Sequence, residues 1–448
     1  MSTMPPGPKR TYPGSLLLQF RRDPLGQLQK IAREYGDVVY LRLGRENVFL
    51  INDPDLIREV LVTHHQNFTK GRGLERIKKF LGEGLLTSEG EPHLRQRRLM
   101  QPAFHHRRIA AFAEIMTAHA SRTSDGWHDG AQIDLAGEMM RLTLGIVGQT
   151  LFGANVAADA TAVESALSTM MKSFPLMMLP FADFIEKLPL PAVRRMKAAH
   201  AELDAIIYRL IDGRRRSGED TGDLLSMLIA AQDEEDGGAG MTDQQVRDEA
   251  MTIFLAGHET TANALNWTWY LLAGHPAVEA RLHEELDQVL QGRLPTMADL
   301  PALRFTENIV RESMRLYPPA WMVGRRAVAD FPMGGYTVPA RSIVLMSQYV
   351  MHRDVRYFPE PDQFDPGRWT PEFKAALPRY AYFPFGGGPR QCIGEGFAWM
   401  EAVLLLATLA QQWKLRLVPG HPVVPQPMIT LRPKHGLLMT AHRRHPGV

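Results

Sequence analysis

The stretch Phe385-Gly386-Gly387-Gly388-Pro389-Arg390-Gln391-Cys392-Ile393-Gly394 contains the only cysteine of the chain. Three consecutive glycines and a proline favour a tight loop over a helix or a regular strand. The apolar run 397–409 predicts a helix, which would place Cys392 near a helix N-terminus, and Arg390 adds a nearby cation; both favour a thiolate. A lone cysteine cannot form an internal disulfide, so packing, nucleophilic reactivity and soft-metal ligation remain open.

The composition describes an ordinary globular protein. The 448 residues are 45% hydrophobic and 22% charged with a formal net charge of +2, so nothing points to nucleic acid as a partner. One cysteine excludes a disulfide scaffold. The chain has neither an 18-residue apolar run nor the apolar core of a signal peptide, so no transmembrane segment and a soluble, cytoplasmic protein are expected. Pro5-Pro6-Gly7-Pro8 predicts an extended lead-in over residues 1–20.

Periodicity predicts a mainly helical chain. A short helix is expected over 24–35, two helices over 109–152, strands over 38–43 and 47–51, and loop with short helical turns over 70–86. Thr242 and Gln245 form a capping-box pattern that starts a long helix running to about Leu272. Strand-like runs at 428–431 and 437–440 predict a terminal hairpin.

The middle of that long helix reads Ala256-Gly257-His258-Glu259-Thr260-Thr261. A glycine inside a helix costs about 1 kcal/mol relative to alanine, and adjacent β-branched threonines are poor helix formers. Residues of low helix propensity in the middle of a long helix indicate a functional site, because a purely structural helix would avoid them. A close helix crossing at Gly257 is the alternative explanation.

Three further patterns are ambiguous by themselves. His93 and Arg97 share one helix face, but a solvated basic helix would look the same. Glu312 and Arg315 have the spacing of an ordinary surface ion pair. The Met- and Phe-rich segment 170–193 is interrupted by prolines, so it cannot be one long packed helix.

Together these motifs resemble the cytochrome P-450 family of haem-thiolate monooxygenases, whose haem loop has the pattern Phe-x-x-Gly-x-x-x-Cys-x-Gly. They occur in the order of that family and span essentially the whole chain. The resemblance implies a mainly α fold with a smaller β region near the N-terminus (α+β). It also implies a single domain, residues 1–448, with haem b between the long helix and the cysteine loop.

The resemblance also assigns roles to residues. Cys392 would ligate the haem iron and favour O–O cleavage. The other cofactor-binding residues implied are Phe385, Gly386, Arg390 and Gly394 in the loop, and His93, Arg97 and Arg325 at the propionates. His93 departs from the tryptophan common in the family but can still donate a hydrogen bond, and Arg326 is a weaker candidate than Arg325.

Oxygen chemistry and loop rigidity are assigned in the same way. The oxygen-binding kink and proton delivery would use Ala256, Gly257, Glu259 and Thr260, with Gly257 approaching the oxygen ligand. A buried structural triad of Glu312, Arg315 and Arg368 would fix the segment that leads to Cys392.

The apolar segment 170–193 resembles the substrate-access lid of the family. The predicted substrate-pocket residues are Phe174, Met177, Met178, Phe254, Trp321, Met322 and Ile429. They suggest a bulky apolar substrate such as a terpenoid or a fatty acid, with a lean toward terpenoids because no cationic anchor for a carboxylate can be placed.

The stretch after Cys392 is too short for a fused reductase, so electrons are expected from a separate partner such as a small acidic ferredoxin. Arg95, Arg98 and Arg390 could form a basic docking face for it. Three alternatives remain open: a peroxide-using peroxygenase, a haem-thiolate isomerase or dehydratase, and a non-catalytic haem sensor or carrier. The first two would have little need of the acid–alcohol pair Glu259 and Thr260.

Overall fold

The computed structural model describes residues 4–9, 15–153, 162–163, 165–166, 168–170, 173, 182–233 and 238–444. Phe174, Met177 and Met178, three of the predicted pocket residues, lie outside this part of the chain. The lid prediction for residues 170–193 is therefore covered only at its ends.

Helices are the predominant element of the described chain. They are α1 (Ser15–Arg22), α2 (Pro24–Tyr35), α3 (Pro54–Arg58), α4 (Arg72–Leu81), α5 (Gly90–Met100), α6 (His106–Ile109), α7 (Ala113–Asp125), α8 (Leu135–Phe152), α9 (Ala182–Ile185), α10 (Pro191–Ser217), α11 (Leu224–Ala230), α12 (Asp243–Gly274), α13 (Pro276–Leu290), α14 (Arg304–Leu316), α15 (Gln348–Met351), α16 (Pro371–Ala376) and α17 (Glu395–Ala410). Over the ranges given above, none of these helices is long and apolar enough to cross a membrane.

The strands are short and form small sheets. They are β1 (Val38–Leu43), β2 (Glu46–Ile51), β3 (Phe68–Lys70), β4 (Gln132–Asp134), β5 (Gln232–Asp233), β6 (Ala239–Gly240), β7 (Val323–Ala327), β8 (Phe331–Met333), β9 (Tyr336–Val338), β10 (Ile343–Met346), β11 (Trp413–Leu417), β12 (Pro425–Pro427), β13 (Leu431–Pro433) and β14 (Leu438–Arg443). The largest sheet has the order β1-β2-β10-β7-β3. The β region predicted near the N-terminus therefore also includes strands from residues 323–346.

Helix α12 is the scaffold around which the other helices pack. Thr242 and Gln245 form the predicted capping box: each side chain accepts a hydrogen bond from the backbone N–H of the other. The helix has 32 residues, which corresponds to about 48 Å. Helices α8, α10, α14 and α17 all contact it, so most of its side chains are buried.

Three local predictions were wrong. The lead-in is helical from Ser15, where α1 begins. Residues 72–81 form a regular helix, α4, because Leu74, Ile77 and Leu81 have helical spacing and pack into the main core. The predicted terminal hairpin does not form, since β13 pairs with β12 and β14 pairs with β11 and β4.

A buried carboxylate joins helix α14 to the segment before the cysteine loop. Both oxygens of Glu312 accept hydrogen bonds from Arg315, each at 2.9 Å. Glu312 also accepts from Arg368 Nε at 2.9 Å, from Trp369 Nε1 at 2.9 Å and from the backbone N–H of Asp365 at 3.1 Å. Glu312 and Arg315 are both 0% exposed.

The two arginines bind backbone as well as carboxylate. Arg315 donates to the carbonyl oxygens of His352, Pro361 and Gln363 at 2.6–2.9 Å. Arg368 donates to the carbonyl of Pro359 at 2.8 Å. The irregular chain between α15 and α16 is therefore held in one conformation by guanidinium groups rather than by a sheet.

We expect Glu312→Gln to lower the free energy of unfolding by about 3–5 kcal/mol, because it leaves two buried guanidinium groups without their anionic partner. Glu307→Gln is the matched control on the same helix, since Glu307 pairs with Arg311 at the protein surface and should contribute about 1 kcal/mol or less. Denaturant unfolding of both variants measures the difference. Equal, small losses would contradict a structural role for the Glu312 cluster.

Candidate active site

The loop 385–394 is closed by its own backbone. The N–H of Cys392 donates to the carbonyl of Phe385 at 3.0 Å, and the N–H of Gly386 donates to the carbonyl of Phe383 at 3.0 Å. The Phe385 ring packs against Trp399 on α17, with ring centroids 5.8 Å apart. These contacts place Cys392 at the entrance to α17.

Two glycines of this loop, Gly387 and Gly388, are required for different physical reasons. Gly388 has φ +66°, in the left-handed region, and a Cβ there would clash with the carbonyl oxygen of Leu61. A Cβ on Gly387 would overlap the Tyr380 ring. A Cβ on Gly394 would lie 4.0 Å from the Cys392 sulfur, so this glycine lies directly beside the thiol. The backbone of the loop therefore approaches its neighbours more closely than side chains would permit.

The Cys392 side chain is accessible to solvent, although protein atoms lie around it on most sides. We infer that it lines an internal cleft. Burial raises the pKa of the Cys392 thiol to about 11, although a hydrogen bond from the Gly394 N–H and the charge of Arg97 act in the opposite direction. The sequence-based expectation that the helix end and Arg390 favour a thiolate was thus wrong for the protein groups alone. A metal cation deprotonates a coordinating thiol outright, so this environment suits a metal ligand better than a free nucleophile.

Helix α12 exposes one narrow stripe in an otherwise buried stretch. Ile253, Ala256, Gly257 and Thr260 are accessible or partly accessible, and their spacing puts them on one face. Thr260 Oγ1 donates to the carbonyl of Ala256 at 2.7 Å. Since α17 begins just after Cys392 and packs against α12, the stripe and the thiol belong to packed neighbours.

Gly257 and Phe254 lie toward α8. A Cβ on Gly257 would be 3.1 Å from Val147 Cγ2, so this glycine permits a close crossing of α8 and α12. The Phe254 ring packs against Phe152 at 5.7 Å and is 3% exposed. The Cβ position of Gly257 therefore faces α8, its approach to an oxygen ligand stays a prediction, and Phe254 is a core residue rather than part of a pocket.

Glu259 and Thr260 diverge although they are adjacent in sequence. Glu259 is 3% exposed and accepts a 2.6 Å hydrogen bond from Thr430 Oγ1. Burial raises its pKa, whereas the Thr430 hydrogen bond and the charge of Arg432 lower it. The hydroxyl of Thr260 is therefore at the cleft, while the carboxyl of Glu259 is turned toward the C-terminal segment. The Nδ1–H of the His258 ring donates to the Phe254 carbonyl at 2.7 Å, so this side chain takes no part in either arrangement.

Three arginines, a lysine and a histidine gather beside the cysteine loop. Arg97 donates to the carbonyl of Gln391 at 2.8 Å. Arg390 pairs with Glu89 and donates to the Ser88 carbonyl at 2.6 Å. The other members are Lys70, His93 and Arg325. Burial and the charge of Arg390 lower the pKa of Lys70 to about 6, that of His93 to about 3 and that of Arg325 to about 10.

Lys70 was not identified from the sequence. It lies opposite Arg325 in the register of β3 and β7, and its Nζ donates to the carbonyls of Leu85 and Ser88, each at 2.9 Å. Only the strand pairing reveals this position, because residues 70–86 were expected to be loop. The next residue, Arg326, points to the other face and pairs with Glu46 and Glu75, so Arg325 is the arginine of this strand that joins the cluster.

This arrangement fits a haem. The three arginines of the cluster outnumber the two carboxylates that act on it, Glu89 and Glu249, and burial raises the pKa of Glu249 to about 8. An anionic group such as a pair of propionates would therefore relieve the repulsion between the arginines. Arg97 connects the cluster to the cysteine loop. The partly accessible stripe on α12 and the accessible Cys392 thiol would supply an apolar cleft and an axial ligand.

The other predicted residues are in varied surroundings. Trp321 Nε1 donates to the carbonyl of Met428 at 3.0 Å, and Trp321, Met322 and Ile429 are partly buried. Arg95 and Arg98, expected at a docking face, both contact the buried carboxylate of Asp233 in β5. The side chain of Arg98 remains 42% exposed.

Comparisons with known proteins agree with this geometry. Residues 5–440 match the model of the family described as Cytochrome P450. The chain is 43% identical over 420 residues to cyclooctatin synthase of Streptomyces melanosporofaciens, covering 93% of this chain and 91% of that protein. It is 39% identical to cyclooctat-9-en-7-ol 5-monooxygenase of the same organism, over 92% of this chain and 90% of that one. Pentalenene oxygenase of Streptomyces avermitilis is 36% identical, over 96% and 95%.

Solved structures show the same fold. The haem domain of cytochrome P450DA superimposes with a TM-score of 0.88 at 27% identity, covering 100% of this chain and 99% of that one. Retinoic acid-bound cyanobacterial CYP120A1 also gives a TM-score of 0.88, at 25% identity, over 99% and 100%. The family resemblance and the α+β fold expected from the cysteine loop are thereby confirmed: the chain belongs to the cytochrome P450 family, whose cofactor is a haem iron.

Proposed function

We propose that this P450 monooxygenase hydroxylates a terpenoid hydrocarbon. The observation that carries the proposal is the apolar, partly accessible stripe on α12, which lies on a packed neighbour of the Cys392 helix and offers no charged side chain to a polar substrate. Relatives named for oxygenation of cyclooctat-9-en-7-ol and pentalenene support this substrate class. A fatty acid is less favoured, because no cation lies on the stripe to hold its carboxylate.

The haem is proposed to be haem b in a single domain. Cys392 would be the axial ligand, while Lys70, Arg97, Arg325 and Arg390 would surround the propionates and neutral His93 would donate a hydrogen bond. A haem held in this way supplies oxygen binding and the oxidation itself. The protein contributes a dry cleft, a fixed orientation and a route for protons.

Proton delivery is proposed to divide between two residues. Thr260 has the hydroxyl at the cleft, and the Ala256 carbonyl fixes its orientation. Glu259 is a buried acid, and its burial raises the pKa of the carboxyl and so favours the protonated form that a proton donor needs. The Thr260 hydroxyl, which donates its hydrogen to the Ala256 carbonyl, would accept a hydrogen bond from a water at the cleft and hold that water in place. Glu259 would resupply the proton that the water gives up.

An optical titration tests the substrate class. Terpenoids, fatty acids and steroids are added in turn to the purified ferric holoenzyme while the Soret band is followed. We expect terpenoids of polycyclic skeleton to shift the band to the high-spin position at lower concentration than the other two classes. A shift given only by fatty acids or only by steroids would contradict the proposed class, and the absence of any haem spectrum after reconstitution would contradict the site itself.

The alcohol side of the proton route has its own test. We expect Thr260→Ala to keep oxygen consumption but to lower the product formed per oxygen by about fivefold, the effect of one lost hydrogen bond, with peroxide released instead. Thr260→Ser retains a hydroxyl and should stay near the parent value. Product, peroxide and oxygen are measured together with a surrogate ferredoxin and its reductase. Fully coupled turnover by the alanine variant would remove Thr260 from the route.

Electrons are proposed to come from a small acidic ferredoxin that docks near the cysteine loop. Arg107 and Arg108 are exposed on α6, which packs against α17. They extend the basic surface expected at Arg95 and Arg98. Because these last two contact buried Asp233, their charge reversal would also disturb the fold, so the arginines of α6 give the cleaner test.

Reversing both charges with Arg107→Glu and Arg108→Glu should slow reduction by the ferredoxin about tenfold at low ionic strength, since complementary charge mainly raises the encounter rate. The difference should shrink as salt screens the surface. The control reverses exposed Arg194 and Arg195 on α10. Stopped-flow reduction at several salt concentrations decides: equal rates for both pairs, or a salt-independent loss, would contradict docking at α6.

A further inference from the structure

Thr430 connects two distant parts of the chain at the predicted proton relay. It lies between β12 and β13, far along the sequence from α12, yet its hydroxyl contacts two residues of that helix. Thr430 Oγ1 donates to Glu259 Oε1 at 2.6 Å and accepts from Asn263 Nδ2 at 3.1 Å. The exposed fractions of Asn263, Glu259 and Thr430 are 1%, 3% and 5%. The three side chains thus form a buried hydrogen-bonded row.

The direction of the row is fixed by its donors. A hydroxyl has one hydrogen to donate and accepts with its lone pairs. Because the amide of Asn263 already donates to Thr430, the hydroxyl hydrogen of Thr430 is directed at Glu259. The carboxyl of Glu259 is thereby held at one position, to the side of the cleft-facing hydroxyl of Thr260.

The backbone around Thr430 is anchored on both sides. Trp267 Nε1 donates to the carbonyl of Leu431 at 2.9 Å, and the N–H of Leu431 donates to the carbonyl of Pro319 at 2.9 Å. On the other side, Trp321 Nε1 donates to the carbonyl of Met428 at 3.0 Å. The backbone at Thr430 is therefore held in place by its neighbours, independently of the position of the Glu259 side chain.

Few other groups are in a position to hold Glu259. The hydroxyl of Thr260 is already donated to Ala256. Arg432 contributes its charge, but its Nε donates to Gln426 at 3.3 Å. The Thr430 hydroxyl is thus the short, buried hydrogen bond that sets where the Glu259 carboxyl rests.

We propose that Thr430 is a positioning residue for proton delivery. Its hydroxyl, oriented by Asn263, holds the Glu259 carboxyl in the place from which a proton is resupplied to the water at Thr260. The inference rests on the proposed role of Glu259. It assigns to the segment between β12 and β13 a part in oxygen activation, beyond the substrate contact expected of neighbouring Ile429.

The test compares Thr430→Val, which keeps the shape and removes the hydroxyl, with Thr430→Ser, which keeps the hydroxyl. The holoenzyme is assayed with a surrogate ferredoxin and the terpenoid that gives the largest Soret shift. We expect the valine variant to form about tenfold less product per oxygen, the effect of losing one buried hydrogen bond, and the serine variant to stay within about twofold. Substrate affinity from the Soret titration should be unchanged in both.

A double-mutant cycle with Glu259→Gln separates positioning from packing. If Thr430 acts through Glu259, Thr430→Val should add no further loss in the Glu259→Gln background. Full activity of the valine variant, equal losses in the valine and serine variants, or additive losses in the cycle would each overturn the proposal. If Glu259→Gln alone is fully coupled, the role of Glu259 in the proposed function fails, and that result is distinct from a failure at Thr430.

Discussion

The carboxylate of Glu312 is the interaction on which the rest of this structure depends. It has no contact with solvent, so its charge is tolerable only while Arg315, Arg368, Trp369 and a backbone N–H all donate to it. The two arginines pass this constraint to the carbonyls of residues 352–363. The chain then passes through the short helix α16 before it reaches the cysteine loop. Hydrogen bonds from arginine side chains thus fix the backbone of a segment that has little regular secondary structure. This segment leads to the loop that carries Cys392.

The site combines a rigid loop with two functional faces of one helix. Stripe residues such as Ala256 and Thr260 face the cleft, whereas Phe254 and Gly257 pack on α8 and Glu259 turns toward the C-terminal segment. A buried acid on such a helix needs a polar partner, and for Glu259 this partner is the Thr430 hydroxyl, which in turn accepts from the Asn263 amide. The residues of α12 that are proposed to act in catalysis therefore lie on different faces from those that pack against neighbouring helices.

The sequence predicted what is local. The capping box at Thr242, the pairing of Glu312 with Arg315, and the cysteine loop were found because each depends on residues close in the chain or on a motif with fixed spacing. Lys70, Thr430 and the Asp233 partner of Arg95 were missed, because their roles arise from strand register and from contacts between remote segments. Phe254 was misassigned since helical periodicity identifies an apolar position but not which neighbour covers it.

The cation cluster beside the cysteine loop has a consequence for biosynthesis. Its members come from positions as far apart as Lys70 and Arg390, so nearly the whole chain must leave the ribosome before they can meet. Until an anionic partner arrives their mutual repulsion opposes closure, and a bound group that neutralises them stabilises the folded state by mass action. We therefore expect the cofactor to bind only after nearly the whole chain has been synthesised, and its binding to complete folding rather than to follow it.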